Sequence, residues 1–288
     1  MKNAKNLFYN GIIIGLSILC ALVFVFSNKI VAKAEPEIIY SDDLYIGDED
    51  LVDASYYVNC DSVILLENVS HISAPSFGNI DSTKPNGCGP ITGMNVVGFY
   101  DRWCTELIAG YDPGMVFANG NYHYYPDRRS ATTINAFSKL YSLMKTDEVG
   151  GTTSTNFKNG LNFYIYDAGY NVSYESFYSS KTSINFNKLK NAIDNNKVGV
   201  VMCSEYNFIS SIIFSSSEGR AHIAQSNSTI PHMMMVYGYQ VYGYYSNGQL
   251  IQTDTVLNVT NSKSIGAVGY MKLNDFSVIN EALIISIY

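Results

Sequence analysis

The chain has 288 residues, 47% hydrophobic and 15% charged, which supports a substantial core in one large or two small domains and excludes a disordered chain. Its formal charge of −7 gives a surface that repels nucleic acid and anionic lipid, so nucleic-acid binding is excluded. The 24 tyrosines suit strands and half-buried surfaces and point to a sheet-rich body.

The N-terminus reads as an export signal. Lys2 and Lys5 make a basic start, residues 11–26 are almost wholly apolar, and Ala32-Lys33-Ala34 has the small-x-small form of a cleavage site. The apolar run is short for a membrane-spanning helix, which needs about 20 residues. Residues 1–34 are therefore expected to be a signal peptide, and the protein to be secreted or held at the cell surface. Membrane contact is expected only through the signal before cleavage. Leu19 before Cys20 is too bulky for a lipoprotein box. Removing residues 1–34 takes away four lysines and no acid, so the mature charge becomes −11.

Residues 35–62 read as an acidic leader or propeptide-like segment. The run "SDDLYIGDEDLVD" (41–53) lacks the D-x-D-x-D-G order and closing glutamate of a calcium loop. From "VILLENV" (63–69) onward the pattern becomes compact and domain-like, and residues 63–288 are expected to form one domain.

Four helices follow from spacing. The first runs from about Gly89 to Ile108, with Ile91, Met94, Val97, Tyr100 and Leu107 near one face. The second runs from Ser130 to Lys145, the third from near Asn156 to Gly169, and the fourth from near Asn185 to "DNNK". The period then changes. "VGVVMCSEY" (198–206), "HMMMVYGYQVYGYY" (232–245), "LIQTDTVLNVT" (250–260), "VGYMKL" (268–273) and "ALIISIY" (282–288) read as strands, with a hairpin turn at "SNG" (246–248). The polar stretch between Glu205 and Pro231 reads as a surface insertion or a lid. Helices first and an antiparallel sheet afterwards make an α+β layout.

The stretch "KPNGCGPITGMNVVGFYDR" (84–102) carries the chemistry. It places Cys88 between two glycines where a loop turns into a helix. The first helical turn offers unpaired N–H groups and a partial positive charge, which lower a thiol's pKa. Gly87 and Gly89 leave room for a substrate backbone, Pro90 is tolerated in the first turn, and the Cys88 N–H is a donor for an oxyanion. A cysteine nucleophile needs a histidine base and a group that orients it. Of His71, His123, His222 and His232, only His232 opens a strand beside an apolar run. The neighbouring strand offers Asn261 as the orienting residue, with Asn258 as the second choice. If Cys88 is kept as a thiol, at most one bridge can form among Cys60, Cys104 and Cys203, and the last two read as small buried hydrophobes. No C-x-x-C or Cys/His cluster suggests a metal, and no cofactor is expected.

Together, "NGCGPITGMNVVGFYDR" (86–102), "HMMMVYGY" (232–239) and "VLNVTNS" (256–262) resemble the papain-like cysteine peptidases, most closely the C39-like branch of bacterial exported proteins. The order Cys, His, Asn matches, and His232 follows Cys88 at the family's usual distance. The resemblance implies a papain-like fold, with an N-terminal helical part that carries the nucleophile at a helix N-terminus and packs on a C-terminal antiparallel sheet. It also implies hydrolysis of a peptide or protein substrate through an acyl-enzyme. The family often has a glutamine six residues before the cysteine as oxyanion donor. Here Ser82 stands there, and Asn79 is the substitute, its amide donating in the same way. The Trp-Gly pair common after the family's asparagine is absent after Asn261. Two other readings use the same residues: a cell-wall amidase or transglutaminase-like acyl transferase, and a non-catalytic surface protein on a peptidase frame.

Overall fold

The tyrosine-rich and β-branched runs fold as strands, and there are more of them than composition and spacing alone reveal. A computed structural model describes residues 37–40, 52–71, 74–78, 80–81, 83–111, 114–118, 121–125, 130–260, 268–274 and 276–288. The expected signal peptide, most of the acidic run, Asn79, Ser82 and Asn261 lie outside the described residues.

Strands β1 (Ile39–Tyr40), β2 (Val52–Asp53), β3 (Tyr56–Asn59) and β4 (Ser62–Ser70) precede helix α1 (Cys88–Tyr100). The middle of the chain holds β5 (Gly114–Ala118), β6 (Asn121–Tyr125), α2 (Ala131–Leu143), α3 (Thr146–Val149), β7 (Thr152–Thr153) and α4 (Ser154–Asp167). Then come β8 (Val172–Ser176), β9 (Tyr178–Ser180), β10 (Ser183–Ile184) and α5 (Phe186–Asp194). The rest is sheet: β11 (Val198–Ser215), β12 (Arg220–Ser228), β13 (His232–Ser246), β14 (Gln249–Thr260), β15 (Val268–Lys272) and β16 (Val278–Ile287).

The four expected helices form close to where spacing puts them, and capping explains their starts. Ser130, Thr153 and Asn185 each accept a hydrogen bond from the backbone N–H three residues on, at 3.1 Å. The first helix ends eight residues earlier than expected. There the Asp101 carboxylate accepts from the Ile108 N–H at 2.8 Å and folds the chain back on itself. The hairpin at 246–248 has Asn247 and Gly248 both in the left-handed region, as a two-residue turn with matching twist requires.

The α+β, papain-like division into a helical N-terminal part and a C-terminal sheet is not what the chain forms. Among the described residues strand far outweighs helix, and the dominant feature is a ten-stranded antiparallel sheet with few helices. Two stretches account for the difference. Residues 52–59 pair with β12, and β4 pairs with β13. The polar stretch before His232 is a hairpin: β11 runs on to Ser215 and pairs with β12. Ala221, Ile223 and Gln225 alternate inward along β12, a pattern that its serines and asparagines disguise.

Long β11 organises the sheet. Its first half lies between β13 and β16, and its second half between β15 and β12. Alternation along β13 sends Met233, Met235 and Tyr237 into a core shared with α1, α2 and α4. Met234 and Val236 enter a second core with Leu189 and Ile193 of α5. Tyr56 of β3 is tied in by a buried polar group. Its hydroxyl donates to Asp254 at 2.6 Å, and Asp254 also takes a bond from the Tyr244 hydroxyl at 2.9 Å and an ion pair from Lys272 at 2.8 Å.

Candidate functional site

Cys88 is the first residue of α1 and is 0% exposed. The loop before it is fixed from two sides. The Tyr141 hydroxyl of α2 donates to the Pro85 carbonyl at 2.7 Å, and Asn86 adopts a left-handed conformation that suits asparagine. Gly89 is glycine for packing. A Cβ there would lie 2.5 Å from Thr152 Cβ and Oγ1 of β7, so the room expected for a substrate backbone at this glycine is filled by the protein itself.

Helix α1 is buried on nearly every side, so its polar residues need internal partners. Thr92, one turn after Cys88, donates through Oγ1 to the Met233 carbonyl at 3.1 Å. Asn95, on the same face, accepts from the Phe77 N–H at 2.7 Å and donates to Thr260 Oγ1 at 3.0 Å. These bonds clamp the helix that begins with Cys88 onto the strand that begins with His232 and onto the last residue of β14. The next residue in the chain is Asn261.

His232 is 0% exposed and sits opposite Cys203 in the β11–β13 ladder. Its ring lies 5.7 Å from the Tyr206 ring, at a tilt of 30°. Sequence reasoning left Asn258 open beside Asn261, and the register separates them. Asn258 pairs with Gly238, six residues along β13 from His232 and about 20 Å away at strand rise. Thr260 pairs with Met235, only three residues from His232. Asn261 itself, and Asn79 as oxyanion donor, lie outside the described residues.

Two of the other histidines have plain structural roles. His71 Nε2 is 3.1 Å from the Lys197 carbonyl oxygen, and burial pulls its pKa down. His222 stacks on Tyr57 at 4.9 Å. The side chain of His123 lies outside the described residues. No disulfide joins any two of Cys60, Cys88, Cys104 and Cys203. Burial pushes the Cys203 thiol up to about 12, so it stays protonated and behaves as a small apolar group.

Sequence reasoning missed four residues at this place: Thr92, Asn95, Thr152 and Tyr40. The first two carried a signal, being polar positions within an otherwise apolar helix. Tyr40 carried none, because it stands at the head of an acidic run. It is 2% exposed, and β1 pairs with β7 through Ile39 opposite Thr153 and Tyr40 opposite Thr152. Burial raises the pKa of its phenol, with Cys203, Asn280, Glu281 and Cys88 in electrostatic reach. No protein-family model, curated protein or solved structure matches the chain.

Proposed function

We propose that this protein is an exported cysteine peptidase that uses Cys88 as nucleophile and His232 as base. The observation that supports this most is the clamp of Thr92 on the Met233 carbonyl and Asn95 on Thr260, which brings the backbones at Cys88, His232 and the end of β14 to one region. In this reading the Cys88 proton passes to the imidazole, and the thiolate attacks the peptide carbonyl. The amine then leaves with the proton from His232, and water releases the acyl group from sulfur. Asn261 orients the imidazole. The Cys88 N–H and Asn79 hold the oxyanion.

One observation favours a second reading, a non-catalytic protein: both Cys88 and His232 are fully buried. The experiment that decides uses the full chain carrying Tyr40→Gly, because Tyr40 is buried in the same core as Cys88. It is incubated with an unfolded protein substrate, and new α-amino groups are counted. Release that disappears on adding either Cys88→Ser or His232→Ala supports the peptidase. No release, or release indifferent to both substitutions, favours the non-catalytic protein.

A further inference from the structure

A buried nucleophile needs a way to open, and the residues beside Cys88 differ in how firmly they are held. Thr152 of β7 is anchored twice: it packs on Gly89, and its hydroxyl is 2.9 Å from that of Thr146. Strand β1 on its outer side is held by two residue pairs, by Ile38 packed against the core, by the Tyr40 hydroxyl in hydrogen-bond reach of Asn280, and by one contact at the surface. That contact is the Glu37 carboxylate, which accepts from the Thr155 N–H in the first turn of α4 at 2.7 Å. Ile39 between them is 42% exposed and contributes little burial. A two-residue strand held this way belongs to the low-stability end of a fold, and it can leave without disturbing β7. Its one deeply buried side chain is Tyr40, packed in the same core as Cys88.

We propose that residues 37–40 are a latch: β1 zipped onto β7 seats Tyr40 against Cys88 and keeps the thiol closed to substrate, and the site opens when this strand peels away. The proposal rests on the peptidase reading for its purpose, but its geometry stands on the pairing of β1 with β7 and the burial of Tyr40. The segment acts in cis, so the closed state needs no inhibitor, and any event that removes or competes for residues 37–40 switches the site on. A peptide that pairs with Thr152 and Thr153 is one such competitor.

The test is site-mapped iodoacetamide labelling of Cys88 in the full-length protein, in Tyr40→Gly and in Glu37→Gln. Tyr40→Gly deletes the buried plug and is expected to raise the labelling rate more than about tenfold, the loss of one buried aromatic side chain being large against the energy that closes a short strand. Glu37→Gln removes only the charge at the α4 N-terminus, on the surface, and is expected to raise it about two- to fivefold. The second variant keeps the test valid if the first unfolds, which thermal unfolding reports. Labelling equal to the parent chain in Glu37→Gln and in a folded Tyr40→Gly overturns the latch, as does a parent chain whose Cys88 already labels as fast as in denaturant. Labelling needs exposure alone, so the two ideas fail separately. Faster labelling that is indifferent to His232→Ala keeps the latch and removes the peptidase.

Discussion

Asn95→Ala tests the clamp that brings the site together. The substitution leaves two buried groups without their partner, the Phe77 N–H and the Thr260 hydroxyl, whose bonds to Asn95 measure 2.7 and 3.0 Å. Each orphaned buried group costs about 1–3 kcal/mol, so the loss is about 3 kcal/mol in total. In a domain of this size 1 kcal/mol moves Tm by about 2–4 °C, which predicts a fall of roughly 6–12 °C. Urea unfolding followed by circular dichroism gives the free energy directly. Thr260→Val removes the hydroxyl by itself, and combining it with Asn95→Ala is expected to cost about 1 kcal/mol less than the sum of the single changes. A loss below about 1 kcal/mol for Asn95→Ala, or strict additivity in the double variant, refutes the idea that this bond pins α1 to β14.

Two further predictions concern the surrounding frame. Lys272→Met strands the buried Asp254 carboxylate and is expected to cost about 3 kcal/mol in urea unfolding; a neutral result shows that the ion pair does not hold β14 to β15. Burial by itself raises the Asp254 pKa, but Lys272, Tyr56 and Tyr244 outweigh it and hold the carboxyl below its ordinary value. Stability from this group is therefore complete above the unfolded value of about 4 and is lost as pH falls through the lower folded value, so the parent's urea midpoint drops in that window and a flat profile contradicts the account. Gly89→Ala drives a Cβ into Thr152 and is expected to cost about 1–3 kcal/mol and to raise Cys88 labelling by displacing β7 with β1; unchanged stability and labelling show that β7 yields freely.

The parts legible in the sequence were those that local rules govern. Ser130 and Asn185 announced two helix starts and "SNG" a hairpin, because capping and turn geometry act within three or four residues, whereas the third helix was read from Asn156, three residues past its cap Thr153. The sheet was under-read because strand pairing is decided at long range. The run Arg220–Ser228 looks polar until β11 and β3 cover its two edges, and Tyr56 gains a reason to be tyrosine only from Asp254, 198 residues away. At the site, spacing singled out Cys88 and His232 as candidates, but gave no sign that both are buried. The cover over Cys88 was invisible because Tyr40 belongs to a stretch whose charge pattern reads as solvated, and nothing local reveals its pairing with Thr152.

The most direct test of the central claim is the pH profile of Cys88 alkylation in the folded Tyr40→Gly chain, with and without His232→Ala. A thiolate–imidazolium pair predicts rapid labelling at about pH 6, where an ordinary thiol with a pKa near 8.5 barely reacts, and predicts that His232→Ala abolishes it. A Cys88 that reacts only as pH approaches 8.5, equally in both chains, contradicts the pairing and leaves Cys88 a structural residue at the start of a buried helix.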